Sequence, residues 1–201
     1  MPRVHIVDDE PELREAVALL LSTAGIETTP HPSAEAFLAS QAHRLPTCVL
    51  LDNRMAGMSG LDLLRRLQEI GSEATIIMMT GHADVPTAVS AMKLGAFHFI
   101  EKPFDGEALL AAVEEALSRA ERIGDEIAER EAFAVRFKSL TQREAEVFGL
   151  LVEGAPTKVI ATRLDITART AEHHRASVMR KLEARSISHL MRMALNVRPT
   201  S

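Results

Sequence analysis

The sequence is poor in the residues that mark several protein classes. It has no Trp, no Tyr and a single Cys among 201 residues. The lone Cys48 cannot form an intramolecular disulfide, so we expect a reducing environment and a cytoplasmic protein. The lack of Trp and Tyr disfavours stacking of flipped bases on aromatic side chains. No apolar stretch approaches the roughly 18 residues of a membrane-spanning helix, so no membrane contact is expected.

Charge is abundant, but it is unevenly distributed. Residues 1–118 carry 8 Lys and Arg against 17 Asp and Glu, whereas residues 139–201 carry 10 against 6. The segment between them, residues 119–138, has 5 of each sign. An acidic part joined to a basic part indicates a nucleic acid or another acidic partner for the basic part.

Residues 1–118 alternate apolar strands with amphipathic helices. Five such units are typical of one α/β domain with a doubly wound five-stranded parallel sheet. Four of the predicted strands run directly into polar side chains. They are Val4–Val7 before Asp8 and Asp9, Cys48–Leu51 before Asp52, Thr75–Met79 before Thr80, and Phe97–Ile100 before Glu101 and Lys102.

The carboxyl ends of parallel strands meet at one edge of the sheet, where open α/β folds bind ligands. Clustered carboxylates repel one another, and Mg²⁺ relieves this by binding one or two of them together with waters and phosphate oxygens. Asp52 is a competent nucleophile towards phosphorus, Lys102 supplies a point charge for a phosphate oxygen, and Thr80 supplies a hydroxyl donor. The sequence therefore predicts a magnesium-assisted phosphoryl site at this edge.

Short motifs at the strand ends carry a resemblance to a known family. They are Val7-Asp8-Asp9-Glu10, Leu51-Asp52, Met58-Ser59-Gly60, Met79-Thr80-Gly81 and Lys102-Pro103-Phe104. In combination they resemble the motifs of bacterial response-regulator receiver domains over residues 3–118. The resemblance implies a flavodoxin-like fold and phosphorylation by a partner sensor histidine kinase.

The resemblance also implies how the phosphoryl site is built. Asp52 would be the phosphoacceptor. Mg²⁺ would be bound directly by Asp9, Asp52 and the backbone carbonyl of Arg54, and through water by Asp8. Lys102 would contact the phosphoryl group.

The same resemblance implies a switch that responds to phosphorylation. Thr80 and Phe99 would form the switch pair, and the Lys102–Pro103 peptide would be cis. The face formed by the fourth helix, the fifth strand and the fifth helix would then change, and it would mediate homodimerisation or release the DNA-binding domain. Candidate dimerisation residues on this face are Val89, Met92, Lys93 and Phe104.

Several positions depart from the family pattern. Ala56 stands four residues after the phosphoacceptor, where the family often has Pro. Asn53 could hydrogen-bond towards the site, and Phe99 lacks a hydroxyl. A haloacid-dehalogenase-like phosphatase is the alternative enzyme, but it needs a second Asp where this chain has Arg54. We therefore expect no turnover of external substrates, only self-phosphorylation from a phosphodonor and slow self-dephosphorylation.

Residues 119–138 read as a helical linker that continues the preceding helix from Asp105 to about Arg136, with Gly124 as an interruption. An apolar stripe continues along this helix. Two or three heptads do not decide between a dimer seam and a helix that lies on its own domain.

Residues 139–201 are predicted to form an all-α four-helix domain. Thr141 and Glu144 fit a capping box at its first helix. A short helix at Lys158–Leu164, a turn, and a longer helix at Ala168–Leu182 form a helix-turn-helix pattern. The segment resembles the LuxR/NarL-type helix-turn-helix, although Thr157 replaces the usual Asn. Together with the receiver-like part, the chain resembles FixJ-type response regulators.

Helical periodicity gives the register of the second helix of this motif, with Ala171, Val178 and Leu182 facing the core. The outward side chains are expected to reach base edges, and further residues are expected to contact phosphates. The base-edge candidates are Arg169, Glu172, His173 and Ala176, and the phosphate candidates are Lys158, Thr170, Arg175 and Lys181. In the last helix, Leu190 and Met193 are candidates for pairing two DNA-binding domains.

These features predict a two-component response regulator. A histidine kinase would phosphorylate Asp52 in the presence of Mg²⁺, and a homodimer would bind two half-sites of double-stranded DNA, with RNA polymerase as a further candidate partner. The alternative is a phosphoryl sink or kinase-interaction protein without DNA-binding output.

Overall fold

The computed structural model describes residues 3–81 and 85–197. The chain divides into two compact units, Met1–Asp125 and Glu126–Ser201, and the division falls within the predicted linker. In the described ranges, no helix has both the length and the apolar character that crossing a membrane requires.

The first unit is built on a parallel five-stranded sheet, as the sequence predicts. Its strand order is β2-β1-β3-β4-β5, the order of flavodoxin-like folds. Every residue of β1, β3 and β4 is buried, because helices cover both faces of the sheet. The strands are β1 (Val4–Val7), β2 (Thr28–His31), β3 (Cys48–Asp52), β4 (Thr75–Thr80) and β5 (His98–Glu101).

Helices connect the strands and begin where the sequence provides caps. The Ser33 and Ser59 hydroxyls each accept a hydrogen bond from a backbone N–H in the first turn of the helix that follows. The helices are α1 (Pro11–Thr23), α2 (Ala34–Ala39), α3 (Gly60–Glu69), α4 (Val85–Lys93) and α5 (Gly106–Lys138), with a short 3-10 helix at Ala42–Arg44 before β3.

Two hydrophobic clusters lie on opposite faces of the sheet. On one face, Leu21 of α1 and Val113 of α5 pack against strand residues that include Cys48. On the other face, Phe37 of α2 and Leu63 of α3 pack against the opposite side chains of the same strands. The domain is therefore doubly wound, and buried strands fix the sheet edge formed by their carboxyl ends.

The second unit is helical, as predicted. Its helices are α6 (Gln142–Val152), α7 (Thr157–Arg163), α8 (Ala168–Lys181) and α9 (Ile187–Val197). Thr141 and Glu144 form the predicted capping box at the start of α6. Residues 198–201 of the predicted domain lie outside the described residues.

The helical linker does not break at Gly124, because α5 is continuous from Gly106 to Lys138. Its last turns belong to the core of the second unit. Phe133 is buried in that core with Val147, and the Phe137 ring meets the Phe148 ring edge-on at 5.0 Å. Residues 119–138 are therefore not only a spacer, since their last part is the first helix of the second unit's core.

Candidate functional site

The strand ends bring together an ammonium and two carboxylates. Lys102 Nζ lies 2.7 Å from Asp8 Oδ2 and 2.6 Å from Asp52 Oδ1. Asp8 and Asp52 are almost fully buried, and the Lys102 side chain is only 18% exposed. Three of the residues predicted to share this edge are thus in direct contact.

The ionisation of this cluster reflects opposing effects. Burial raises the pKa of Asp52, and the hydrogen bond and charge of Lys102 oppose the rise, while the Asp8 charge adds to it. Burial alone would lower the pKa of Lys102, but its hydrogen bonds to Asp52 and Asp8 outweigh burial and raise that pKa. The lysine therefore stays charged and compensates one of two adjacent anions.

The segment between β3 and α3, residues 53–59, is here called the β3–α3 loop. The backbone N–H of Arg54 donates to Asp52 Oδ2 at 2.7 Å, and that of Ala56 donates to Asp9 Oδ2 at 2.9 Å. Gly60 N–H donates to the Asn53 carbonyl at 3.1 Å, and a Cβ on Gly60 would overlap the Asp52 carbonyl oxygen. Only glycine fits at position 60, which explains the glycine of the Met58-Ser59-Gly60 motif.

Asn53 does not make the hydrogen bond towards the site that the sequence suggested. Its backbone N–H donates to the Met79 carbonyl at 3.0 Å. Its side-chain Oδ1 is buried and has no hydrogen-bond partner among the described residues.

The donor set at this edge fits a hard cation. Asp9 is exposed directly after the buried Asp8 at the carboxyl end of β1, and the buried Asp52 ends the neighbouring strand β3. Within the ranges 3–81 and 85–197, no three His, Cys, Asp or Glu side chains are grouped as a ready metal site. The predicted set needs only two direct carboxylates, because Mg²⁺ usually keeps several waters and takes phosphate oxygens.

The predicted switch residues lie on the neighbouring strands. Thr80 is buried at the end of β4, and its carbonyl accepts a 2.6 Å hydrogen bond from Lys102 N–H. Phe99 in β5 is half-buried against the cluster on the α3 face. The Lys102–Pro103 peptide is cis.

The predicted dimerisation face of the first unit is partly exposed. Val89 and Met92 on α4 are 45% and 52% exposed, and Lys93 is exposed as well. Phe104 is half-buried and packs against the core next to α5. Exposed apolar side chains of this size on one helix are available for an interface.

In the second unit, α8 presents the predicted face. Ala171, Val178 and Leu182 are buried, and the four base-edge candidates are all exposed. Lys158 on α7 and Thr170 near the start of α8 are also exposed. The helical period alone therefore identified the correct outward side of α8.

Glu172 is held by neighbours on two helices. Its Oε1 accepts a hydrogen bond from Thr157 Oγ1 at 2.7 Å and lies 3.4 Å from Arg175 Nη1. Arg175 Nη1 also donates to Thr157 Oγ1 at 3.3 Å. Thr157, which the sequence marked only as a departure from the family, thus orients a residue of the outward face.

Lys181 requires a correction, because its ammonium is engaged inside the domain and does not extend towards a phosphate. Lys181 Nζ lies 2.6 Å from Glu144 Oε2 and donates to the Ser139 carbonyl at 3.1 Å. Glu144 is buried and also accepts from Ser177 Oγ at 2.7 Å. Lys181, the Thr141 N–H and Ser177 lower the pKa of Glu144 to about 2.

The candidates in α9 also change. Leu190 is fully buried in the core of the second unit, so it cannot lie on a dimer surface. Met193 is half-buried against the same core, whereas Leu195 is 64% exposed. The sequence could not say which of the apolar side chains of α9 the core would cover.

Sequence reasoning missed contacts between residues far apart in the chain. Glu35 of α2 accepts a hydrogen bond from Met58 N–H of the β3–α3 loop at 3.1 Å. His5 and His31 form a buried pair with 2.8 Å between ring nitrogens. No local sequence pattern predicts either contact, because each depends on how separate segments pack.

Two family models match the chain in tandem. Residues 4–114 match the response regulator receiver domain, and residues 138–194 match the luxR family of bacterial regulatory proteins.

Two relatives match nearly the whole length of the chain. The chain is 46% identical to the transcriptional regulatory protein FixJ of Azorhizobium caulinodans over 192 residues, which cover 96% of this chain and 91% of the relative. It is 44% identical to the C4-dicarboxylate transport transcriptional regulatory protein DctR of Rhodobacter capsulatus, covering 94% of this chain and 98% of the relative.

Solved structures agree with these matches. The response regulator StyR is similar with a TM-score of 0.78 and 39% identity, covering 96% of this chain and 98% of that one. Full-length FixJ from B. japonicum has a TM-score of 0.58 and 40% identity, covering 98% and 97%.

Proposed function

Because the chain belongs to the response regulators that join a receiver domain to a luxR-type DNA-binding domain, we propose that phosphorylation of Asp52 by a sensor histidine kinase controls its binding to DNA. One observation carries the assignment to Asp52. It is the buried carboxylate at the end of β3 whose two oxygens are held by Lys102 and by the Arg54 N–H. The carboxylate is thus oriented at the edge where the loops leave the sheet.

The chemistry assigned to Asp52 is nucleophilic. A carboxylate oxygen forms a bond to phosphorus as the bond to the leaving imidazole breaks, and the leaving group keeps the electron pair. Lys102 then balances the added charge, since it already lies within 2.6 Å of Asp52 Oδ1. Asp9, Asp52 and the Arg54 carbonyl would bind Mg²⁺ directly, and Asp8 would bind it through water. The bound cation would neutralise charge on the phosphate oxygens.

Phosphorylation then shifts a two-state domain towards its active form. The added charge draws the Thr80 hydroxyl towards the phosphoryl group, and the Phe99 ring follows through packing. The surface that changes contains the exposed Val89, Met92 and Lys93, with Phe104 beside them. A homodimer formed there would bind two half-sites of DNA, with RNA polymerase as a further partner.

DNA contacts are assigned to the exposed face of α8. Arg169, His173 and Ala176 approach base edges, and Glu172, oriented by Thr157, accepts from a cytosine amino group. Phosphate contacts are assigned to Lys158, Thr170 and Arg175. Self-phosphorylation from a small phosphodonor and slow self-dephosphorylation are the only reactions proposed for the chain itself.

The first test is size-exclusion chromatography with light scattering, with and without beryllofluoride and Mg²⁺, on native protein and Asp52→Ala. Refractive index must supply the concentration, because a chain without Trp or Tyr absorbs little at 280 nm. We expect a shift from monomer to dimer in the native protein alone, and phosphorylation by acetyl phosphate, read by intact mass, only where Asp52 is present. Phosphorylation of Asp52→Ala would refute the assignment of the site.

A second measurement separates a transcription factor from a phosphoryl sink. Binding to a mixed-sequence duplex is measured at several salt concentrations, with and without beryllofluoride. A transcription factor gives binding that weakens steeply with salt and strengthens on activation. Absence of salt-dependent binding in both forms would support the sink, which is otherwise not favoured.

A further inference from the structure

Three carboxylates hold the β3–α3 loop by every second backbone N–H. Arg54 N–H donates to Asp52, Ala56 N–H donates to Asp9, and Met58 N–H donates to Glu35 Oε1 at 3.1 Å. Asp52 and Asp9 also belong to the proposed metal set. Glu35 is the acceptor of this series that has no assigned role.

Glu35 reaches the loop from another part of the fold. It lies in the first turn of α2, where Ser33 is the N-cap. The loop runs close against its carboxylate, because a Cβ on Gly57 would lie 3.1 Å from Glu35 Oε1. Gly57 also has φ of +84°, which a side chain would strain. Glycine therefore allows the loop to turn while it stays against this carboxylate.

The hydrogen bonds of Glu35 fix an otherwise exposed side chain. Its own backbone N–H, the Ser33 hydroxyl and the Met58 N–H all lower the pKa of the Glu35 carboxyl. Glu35 is therefore ionised at neutral pH and remains an acceptor for the loop.

Asp9 contacts the loop and is also a proposed metal ligand. Its Oδ2 accepts from Ala56 N–H in this structure, and the same carboxylate is proposed to bind Mg²⁺. Asp52 likewise accepts from Arg54 N–H and is a proposed metal ligand. The loop carries the proposed Arg54 carbonyl ligand, and Glu35 is the carboxylate in this series that holds the loop from outside the proposed metal set.

We propose that Glu35 is a positioning residue, which holds Met58 N–H so that the β3–α3 loop keeps the Arg54 carbonyl in place for the cation. This inference rests on the proposed function of the site. It assigns Glu35 no contact with phosphate or metal, so its effect is transmitted through the loop backbone.

The test measures Mg²⁺ binding to the full chain by titration calorimetry, and separately the rate of phosphorylation by acetyl phosphate over a range of Mg²⁺ concentrations. Glu35→Ala is expected to weaken Mg²⁺ binding about three- to tenfold and to raise the Mg²⁺ concentration for half-maximal rate in proportion. Glu35→Gln keeps an acceptor oxygen and is expected to stay within about twofold of native.

Glu107→Ala is the matched control, since Glu107 is an exposed carboxylate in the first turn of α5. It is expected to change neither measurement. Unchanged Mg²⁺ affinity in Glu35→Ala would overturn the proposal, and so would equal weakening by Gln and Ala, which would indicate an effect of charge alone. If native protein binds Mg²⁺ but is never phosphorylated, the proposed function fails, while the calorimetric comparison still decides the role of Glu35.

Discussion

At the residue scale, the receiver core contains a histidine pair whose geometry depends on its protonation. His5 Nδ1 and His31 Nε2 are 2.8 Å apart, and both rings pack edge-on against Phe37. A hydrogen bond between two ring nitrogens requires one of them to be unprotonated. Burial, together with the charges of His31 and Arg3, lowers the pKa of His5 to about 4, and burial also lowers the pKa of His31.

This pair predicts that the first domain loses stability in mild acid. Below the ordinary histidine pKa of 6.5 the unfolded chain binds protons that folded His5 does not bind until about pH 4. The free energy of unfolding therefore falls as pH falls through this window, and His5 contributes on the order of 1–2 kcal/mol after allowance for screening by water. Urea unfolding followed by circular dichroism at pH 7 and pH 4.5 measures the loss.

His5→Gln keeps a hydrogen-bonding side chain that does not titrate, so its loss between the two pH values should be smaller than that of native protein. His98→Gln, at an exposed histidine in β5, serves as the control and should behave as native. An equally steep loss in His5→Gln would show that other groups cause the acid sensitivity.

At the scale of elements, α8 has two sides with different tasks. Its inner side is fixed to α6 by Glu144, which accepts from Ser177 and Lys181 of α8. Its outer side carries Arg169 and His173, and both side chains are exposed. Residues of equal charge on one helix therefore differ in role according to the side they occupy.

We predict that Arg169→Ala and Lys181→Met have opposite signatures. Arg169→Ala should weaken DNA binding by about tenfold and reduce the dependence on salt, with stability unchanged. Lys181→Met should lower the unfolding free energy of the second unit by about 2 kcal/mol, because it leaves the buried Glu144 carboxylate without its cation.

Fluorescence anisotropy on a labelled duplex at several salt concentrations, and thermal unfolding, separate the two effects. A reduced salt dependence in Lys181→Met, with native stability, would restore Lys181 as a phosphate contact and contradict the structural role.

At the scale of the whole molecule, the proposed dimerisation requires a surface that the core of the first unit leaves exposed. Met92 on α4 is 52% exposed, and Val89 and Lys93 are exposed on the same helix. A buried charge in an apolar interface is strongly unfavourable. We therefore predict that Met92→Asp weakens beryllofluoride-induced dimerisation at least tenfold, while acetyl phosphate still phosphorylates Asp52.

Leu19→Asp gives a matched control, because Leu19 is 69% exposed on α1. Sedimentation velocity with interference optics follows both variants. Dimerisation that survives in Met92→Asp, or is lost equally in Leu19→Asp, would argue against the α4 face.

The sequence predicted those parts of the fold that follow from a short repeating pattern of apolar and polar residues. Alternating units of strand and helix predicted the doubly wound sheet, and the strand ends predicted that Asp8, Asp52 and Lys102 would meet. The period of α8 predicted its outward face. Gly124 was misread as an interruption because an isolated glycine lowers helix propensity by only about 1 kcal/mol, which the rest of a 33-residue helix outweighs.

The sequence by itself therefore determined the two-part architecture and the meeting of polar side chains at the strand ends, because buried parallel strands bring their carboxyl ends to one edge regardless of detail. Only the tertiary structure decided that Glu35 holds Met58, that Lys181 holds Glu144 and that Leu190 lies in the core. The two hydrogen bonds join residues 23 and 37 positions apart. Such contacts arise from the packing of whole elements, and no local propensity or spacing encodes them.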